Sequence, residues 1–184
     1  MRAICGVACQ MALTMSGPER AAAYSHGALA LFMAVGVVLS ALAFEHIGGY
    51  RACELCLMQR WAYYAAVPSL FAGLVLLSAD RTKVAGLIFL LVAFAFLANA
   101  GLGVYQAGAE WKFWPGPSTC SGDQGVTNDA GSLLGSIAKT RVVRCDEPEF
   151  RMFGLSFAGW NVLTSLFLFA VALKAAFLSA DSKG

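Results

Sequence analysis

The residues best suited to chemistry are two cysteines at the start of an apolar segment. Cys53 and Cys56 form a Cys-x-x-Cys pair, and Arg60 follows Cys56 by four residues. A pair with this spacing can close a disulfide or bind a metal. Thiolates are favoured at a helix N-terminus, where free backbone N–H groups and the helix dipole stabilise negative charge. If a helix has begun at Cys56, Arg60 lies on the same face as that thiol.

Arg60 is a candidate functional residue because a guanidinium in the first turns of a membrane segment is energetically unfavourable. The alternative is structural. A long side chain this close to the interface can also reach the polar region by snorkelling.

Three hypotheses compete for the Cys-x-x-Cys pair: a redox pair, half of a metal site, and incidental thiols. A structural zinc site needs four ligands, often from a second closely spaced pair. Cys120 and Cys145 are far apart in sequence, and His26 and His46 are badly placed to complete such a site. We therefore predict no metal site and favour the redox pair over incidental thiols.

Cys120 and Cys145 form a second pair by position within a long polar connection. Taken alone, they suit a structural disulfide that closes a loop. Beside another dithiol on the same face, however, they can exchange with it by thiolate attack through a mixed disulfide. We favour exchange. Cys5 and Cys9 lie in the N-terminal tail, and no role is predicted for them.

The composition is that of an integral membrane protein, with 59% apolar and only 13% charged residues among 184. Scattered basic residues and a net charge of +2 give no basic patch, which argues against nucleic acid as a partner. Helices that cross a membrane need about 20 apolar residues. Four segments approach this length, at about 27–44, 57–78, 84–106 and 155–178.

The predicted fold is all-α, a four-transmembrane-helix bundle with a long loop, about 107–154, between helices 3 and 4. Residues 27–178 form the single membrane domain. We expect 1–26 to be a poorly ordered N-terminal tail, with a signal peptide as the alternative, and 179–184 to be a C-terminal tail.

With four spans, the first and third connections must lie on one side of the membrane, and so must all four candidate cysteines. Lys and Arg are almost evenly divided between the two sides, so charge does not orient the chain. Four loop cysteines suit an oxidising compartment, which in a bacterium is the periplasm. We therefore expect periplasmic cysteine pairs and cytoplasmic termini, in the bacterial inner membrane.

Polar and aromatic residues near the spans allow further predictions. Asn99 and Asn161 are expected to hydrogen-bond between helices. Gln106 and His46 lie near the membrane face of Cys56, where solvation is favoured over a weak ligand role. Trp61, Tyr63, Tyr64, Trp111, Phe113 and Trp114 suit packing or an interfacial aromatic belt. Within the long loop, residues 128–138 suit a short capped helix, with an ordinary polar loop as the alternative.

In order along residues 27–178, these features resemble the bacterial disulfide bond formation protein B family, DsbB, whose members are quinone-linked thiol oxidases of the inner membrane. The matching residues are Cys53-Glu54-Leu55-Cys56 with Arg60, Glu110-Trp111-Lys112-Phe113-Trp114-Pro115 before Cys120, Cys145-Asp146-Glu147-Pro148, Phe153-Gly154-Leu155-Ser156, and Trp160-Asn161.

The resemblance implies a protein thiol:quinone oxidoreductase that re-oxidises a periplasmic DsbA-like thiol oxidase of thioredoxin fold. Cys120 would join transiently to the partner, with Cys145 as its disulfide mate. Cys53 and Cys56 would then re-oxidise that pair and pass the electrons to membrane quinone. Cys56 would be the thiolate next to the quinone, and Arg60 would help to bind it. The implied cofactor is ubiquinone, with menaquinone as the alternative.

Two other classes remain as alternatives. A vitamin K epoxide reductase-like oxidase also combines cysteine pairs with a quinone, but we expect its Cys-x-x-Cys late in the bundle. A membrane metal-binding or scaffold protein with a disulfide-closed loop would reduce no quinone.

Overall fold

A computed structural model of the protein describes residues 17–50, 53–116 and 151–181. These residues form four helices and one short hairpin. The helices are α1 (Pro18–His46), α2 (Glu54–Ser78), α3 (Thr82–Glu110) and α4 (Phe157–Asp181). Between α3 and α4 lie the strands β1 (Arg151–Met152) and β2 (Leu155–Ser156), which pair antiparallel. Cys5, Cys9, Cys120, Cys145 and the short helix expected at 128–138 fall outside the described residues.

All four helices of the described chain are long and apolar enough to cross a membrane. α1 and α3 have 29 residues each, or about 43 Å at 1.5 Å per residue, against a hydrocarbon core of about 30 Å. The chain is therefore a four-helix membrane bundle, as its sequence predicts.

α1 begins earlier than the expected residue 27. Pro18 occupies the first turn, where a missing N–H breaks no helical hydrogen bond, and Glu19 favours the positive end of the helix dipole. Arg20 forms an ion pair with Asp80 in the turn between α2 and α3. This end of α1 is thus attached to the bundle.

Small residues allow the helices to approach closely. Ala23, Ala30 and Ala34 on α1 are completely buried. The ring of Phe89 on α3 is also completely buried, and it packs against two glycines, Gly27 on α1 and Gly73 on α2. A Cβ at Gly27 would lie 3.0 Å from this ring, and one at Gly73 would lie 2.7 Å from it.

The end of α1, the start of α2, the end of α3 and the start of α4 meet at one end of the bundle, which we call the cysteine end. The contacts of Cys56 with Gln106, and of Asn161 with Gln59, bring α2, α3 and α4 together there. Counting spans predicts this arrangement correctly for the described residues.

The chain enters α4 through the hairpin of β1 and β2. Phe153 and Gly154 both have positive φ, at 54° and 82°, as a two-residue type I′ turn requires. Ser156 then caps α4, because its hydroxyl oxygen accepts a hydrogen bond from the N–H of Gly159 at 3.3 Å. The sequence analysis did not predict this hairpin.

The chain leaves α3 by folding back on it. The Trp114 indole stacks on Tyr105, with ring centroids 6.1 Å apart, and its Nε1 donates to the Tyr105 carbonyl at 2.9 Å. A Cβ at Gly108 would collide with the Trp114 ring, so glycine is needed at this position. Trp111 and Phe113 remain exposed, as expected for aromatic residues at an interface.

Candidate functional site

Cys53 and Cys56 lie at the N-terminus of α2. Cys53 is the N-cap residue, and its sulfur accepts a hydrogen bond from the Cys56 N–H at 3.3 Å. The two sulfur atoms are 2.8 Å apart. Small side-chain rotations could therefore join them at the bonding distance of about 2.05 Å. The predicted Cys-x-x-Cys geometry at a helix start is present.

The two thiols occupy unequal environments. Cys53 is buried, and its thiol donates toward the sulfur of Cys56. This hydrogen bond, together with burial, raises the pKa of Cys53 well above its usual range. The Cys56 sulfur also receives a hydrogen bond from Nε2 of Gln106 at 3.3 Å. Negative charge is therefore better accommodated on Cys56 than on Cys53.

Arg60 lies one helical turn after Cys56 and forms an ion pair with Glu45 at the end of α1. The Arg60 side chain is only 15% exposed, whereas that of Glu45 is 33% exposed. The ion pair joins α1 to α2 and holds a guanidinium inside the bundle. The sequence identifies Arg60 but not its partner, which lies on a different helix.

A cavity of about 100 Å³ lies between α1, α2 and α4 at the cysteine end. Its apolar lining includes Val37, Val38 and Phe157. Polar groups come mainly from α2, including Cys56 and Arg60. The cavity is thus lined by a cysteine and a cationic side chain within largely apolar walls.

The order of these features along four spans agrees with the comparison to known families. The family model described as disulfide bond formation protein DsbB matches residues 24–175. The chain belongs to the DsbB family. No curated protein and no solved structure matches it. As a DsbB-family protein, the chain is a multi-pass membrane protein of disulfide bond formation, and the family suggests thiol oxidoreductase chemistry.

The structure brings together three of the residues that the DsbB resemblance implicates, namely Cys53, Cys56 and Arg60. Cys120 and Cys145 lie outside the described residues, so their roles remain predictions. Among the described residues, no cluster of three or more histidine, cysteine, aspartate or glutamate side chains is arranged to hold a metal.

Gln106 is a site residue for which the expectation of solvation was wrong. Its side chain is only 3% exposed and contacts both cysteine sulfurs. Because α3 extends to Glu110, beyond its expected end at about residue 106, Gln106 lies inside the helix, where it contacts α2. His46 is exposed, as expected for a solvated residue, and its Nδ1 contacts the Leu42 carbonyl.

Gln59 is a site residue that the sequence analysis did not name. It is 5% exposed, and its Nε2 donates to Oε1 of Gln106 at 2.8 Å. A polar side chain inside a membrane span is itself a signal of function. That signal was present at Gln59, one turn from Cys56, and could have identified it.

The predicted polar contacts between helices are confirmed. Asn161 on α4 donates to Oε1 of Gln59 at 2.6 Å, and Asn99 on α3 donates to Ser165 at 3.0 Å. Tyr63 is buried and donates to Oδ1 of Asn161 at 2.7 Å. Trp61 is instead 72% exposed, consistent with a residue of the aromatic belt.

Proposed function

We propose that this protein is a thiol:quinone oxidoreductase of the bacterial inner membrane that re-oxidises a periplasmic DsbA-like thiol oxidase. Electrons pass from the partner dithiol to Cys120 and Cys145, and then to Cys53 and Cys56. The electrons leave the protein on membrane quinone, most simply ubiquinone, with menaquinone as the alternative.

One observation carries this proposal: Cys56 and Arg60 both line one largely apolar cavity. Thiol exchange with a soluble protein does not require an apolar cavity in the membrane bundle. Binding of a lipophilic electron acceptor does require such a cavity.

The cysteine geometry suits exchange with a dithiol from the long loop. A loop thiolate attacks the sulfur of Cys53, and the Cys53–Cys56 bond breaks with Cys56 as the leaving thiolate. The second loop thiolate then attacks the mixed disulfide, releases Cys53 and closes the loop disulfide. The hydrogen bond that Cys56 receives from Gln106 makes it the better leaving group, and this donor is available whether or not Cys53 is in a disulfide.

The cavity residues fit a planar ring that carries carbonyl oxygens. Val37, Val38 and Phe157 offer apolar walls, and the Arg60 guanidinium offers hydrogen-bond donors and positive charge for an oxygen. A bound quinone would supply a two-electron acceptor that takes up two electrons and two protons to become quinol. The two thiols lose the same number of electrons and protons when their disulfide re-forms, so the reaction balances.

The test is quinone reduction by the purified full-length protein, followed by absorbance. The electron donor is a reduced DsbA-like thiol oxidase, and ubiquinone and menaquinone are supplied in parallel. We expect turnover by the unchanged protein and at least a thousand-fold loss in Cys56→Ser, because a hydroxyl cannot form the disulfide.

Cys5→Ser is the matched control, since it removes a cysteine to which no role is assigned. It should retain full turnover. A folded, quinone-loaded protein that oxidises no thiol would contradict the proposal, and so would a Cys56→Ser variant with unchanged turnover.

A further inference from the structure

A directed series of side-chain hydrogen bonds ends at the cysteine sulfurs. Asn161 Nδ2 donates to Gln59 Oε1 at 2.6 Å, and Gln59 Nε2 donates to Gln106 Oε1 at 2.8 Å. Gln106 Nε2 then points at Cys56 Sγ, 3.3 Å away. We call Asn161, Gln59 and Gln106 the amide relay. Each amide in the relay donates to the next group toward Cys56, so the three amide dipoles point in the same direction along the series.

The neighbours of Gln106 select one orientation of its amide. Its oxygen is occupied by the Gln59 donor, and its nitrogen lies 3.4 Å from Oε1 of Glu110 and 3.5 Å from the Cys53 sulfur. A flipped amide would set two NH₂ groups against each other and an oxygen against the Glu110 carboxyl. The orientation that remains is the one with the donors facing the sulfurs and the carboxyl.

Burial makes this orientation energetically important. Gln59 and Gln106 are 5% and 3% exposed, so little water competes for their hydrogen bonds. A hydrogen bond to an ionised group is roughly twice as strong as one between neutral groups, and bonds in a series polarise one another. The Oε1 of Gln106 lies 3.8 Å from Cys56, farther than the Nε2. The relay therefore acts on the charged form of this cysteine.

Charged and titratable groups from the surrounding elements also act on Cys56. On α2 these are Cys53 and Arg60, the latter paired with Glu45 of α1. On α3 the Glu110 carboxyl opposes negative charge on the sulfur. Arg151 of the hairpin interacts electrostatically with Glu110. The Gln106 amide nitrogen lies between Glu110 and the sulfurs and is within hydrogen-bond distance of both.

We propose that Gln106 is the hydrogen-bond donor that stabilises the Cys56 thiolate, and that Gln59 and Asn161 are positioning residues that hold its amide in the donor orientation. This inference rests on the proposed function, because it assigns the thiolate that the reaction uses. In this proposal, three uncharged amides, each from a different helix, control the ionisation of the Cys56 thiol.

The relay is tested on the reduced, full-length protein, without quinone or partner. Alkylation of Cys56 by iodoacetamide is followed against pH by mass spectrometry, in a Cys53→Ser background so that only one thiol of the pair reacts. Gln106→Met keeps the side-chain length but removes the donor. We expect its alkylation rate at pH 7 to fall about ten-fold and the profile to move to higher pH, with the same maximum rate.

Gln59→Glu tests a relay residue that donates to Gln106 and not to the Cys56 sulfur. A carboxylate of the same shape cannot donate to Gln106, so the Gln106 amide loses its fixed orientation. We expect alkylation to slow several-fold at pH 7. This variant also keeps the proposal testable where Gln106→Met does not fold, because its side chain is isosteric.

The matched control is Ser179→Ala. Ser179 is also a fully buried polar residue in a span, but its hydroxyl donates to the Ala175 carbonyl near the C-terminal end of α4, at the opposite end of the bundle from the sulfurs. The variant should lower thermal stability and leave the alkylation profile unchanged. A profile shift as large as that of Gln106→Met would overturn the proposal by showing a general effect of buried polar groups.

Unchanged profiles in folded Gln106→Met and Gln59→Glu would also overturn it. In quinone turnover, Gln106→Met should lower kcat and leave the KM for quinone unchanged, because Gln106 acts on the sulfur and does not line the cavity. Failure of the proposed function is distinguishable from these outcomes. It would appear as absent turnover in the unchanged protein, whatever the alkylation profiles show.

Discussion

The ion pair between Arg60 and Glu45 gives the guanidinium a fixed place at the cavity. A buried arginine is unfavourable without a counter-ion, and Glu45 at the end of α1 supplies one. The planar guanidinium has five donors, more than a single carboxylate contact uses. The arrangement therefore suits a guanidinium that Glu45 holds in place while its remaining donors bind a second group.

Arg60→Ala should therefore weaken quinone binding. Loss of a hydrogen bond to a charged donor amounts to about 1.5–3 kcal/mol, so we expect the KM for ubiquinone to rise about ten-fold or more. Oxidation of the partner in a single turnover should be nearly unchanged. Steady-state rates at varied quinone and rapid-mixing measurements of thiol exchange provide the two readouts.

The variant leaves Glu45 without its counter-ion, which is a second perturbation. The double variant Arg60→Ala with Glu45→Gln removes that charge and should show the same rise in KM. Glu45→Gln alone keeps the cation and should change KM little. If the double variant restored normal KM, the role assigned to Arg60 would be wrong.

At the scale of single residues, the sequence predicts the site residues whose type is unusual for their position in the chain. Cys53, Cys56 and Arg60 are identified by residue type and local spacing. Gln106 and Glu45 are not, because their importance depends on which residues of other helices face them. A local pattern contains no information about such partners.

Among the elements, Phe89 of α3 packs closely against two other helices. Its ring lies between α1 and α2 because Gly27 and Gly73 have no side chain to exclude it. The ring is completely buried, so it has little space into which to move. These two glycines set how closely the first three helices approach.

Gly73→Ala should destabilise the bundle by about 1–3 kcal/mol, because its Cβ would lie 2.7 Å from the Phe89 ring. Thermal unfolding of the purified protein in detergent measures the effect. Gly36→Ala is the matched control, since a Cβ there meets nothing within 4 Å. It should be neutral or slightly stabilising, because alanine favours helix more than glycine does.

Phe89→Leu in the Gly73→Ala background removes the ring and should recover part of the loss. Equal unfolding temperatures for Gly73→Ala and Gly36→Ala would show that the contact with Phe89 does not limit helix packing.

Hydropathy predicts the four helices well because a membrane span must be both long and apolar. It does not set where they begin. α1 starts at Pro18 for reasons of local helix chemistry, outside the apolar run. The hairpin of β1 and β2 consists of two-residue strands, too short to leave an alternating pattern in the sequence.

For the whole molecule, the structure separates two ends of the bundle. The cysteine end contains the sulfurs, Arg60 and the cavity. The opposite end contains the turn between α2 and α3, where Asp80 binds Arg20. The orientation of these ends in the membrane is part of the proposed function.

We predict that the cysteine end faces the periplasm. In a background with the native cysteines replaced by serine, Lys112→Cys should react with a membrane-impermeant maleimide in intact cells. Arg81→Cys, exposed at the opposite end, should react only after the inner membrane is permeabilised. The reverse labelling pattern would contradict the predicted topology.

The cavity between α1, α2 and α4 has a further consequence for how the reaction saturates. A space inside a membrane bundle is filled from the lipid phase, where a long-chain quinone dissolves, and not from water. Under the proposed function, occupancy of the cavity is therefore governed by the mole fraction of quinone in the bilayer. Diluting the protein with extra lipid at constant total quinone should lower the rate. Diluting the sample with buffer that contains the soluble electron donor at the same saturating concentration should leave the turnover per molecule unchanged.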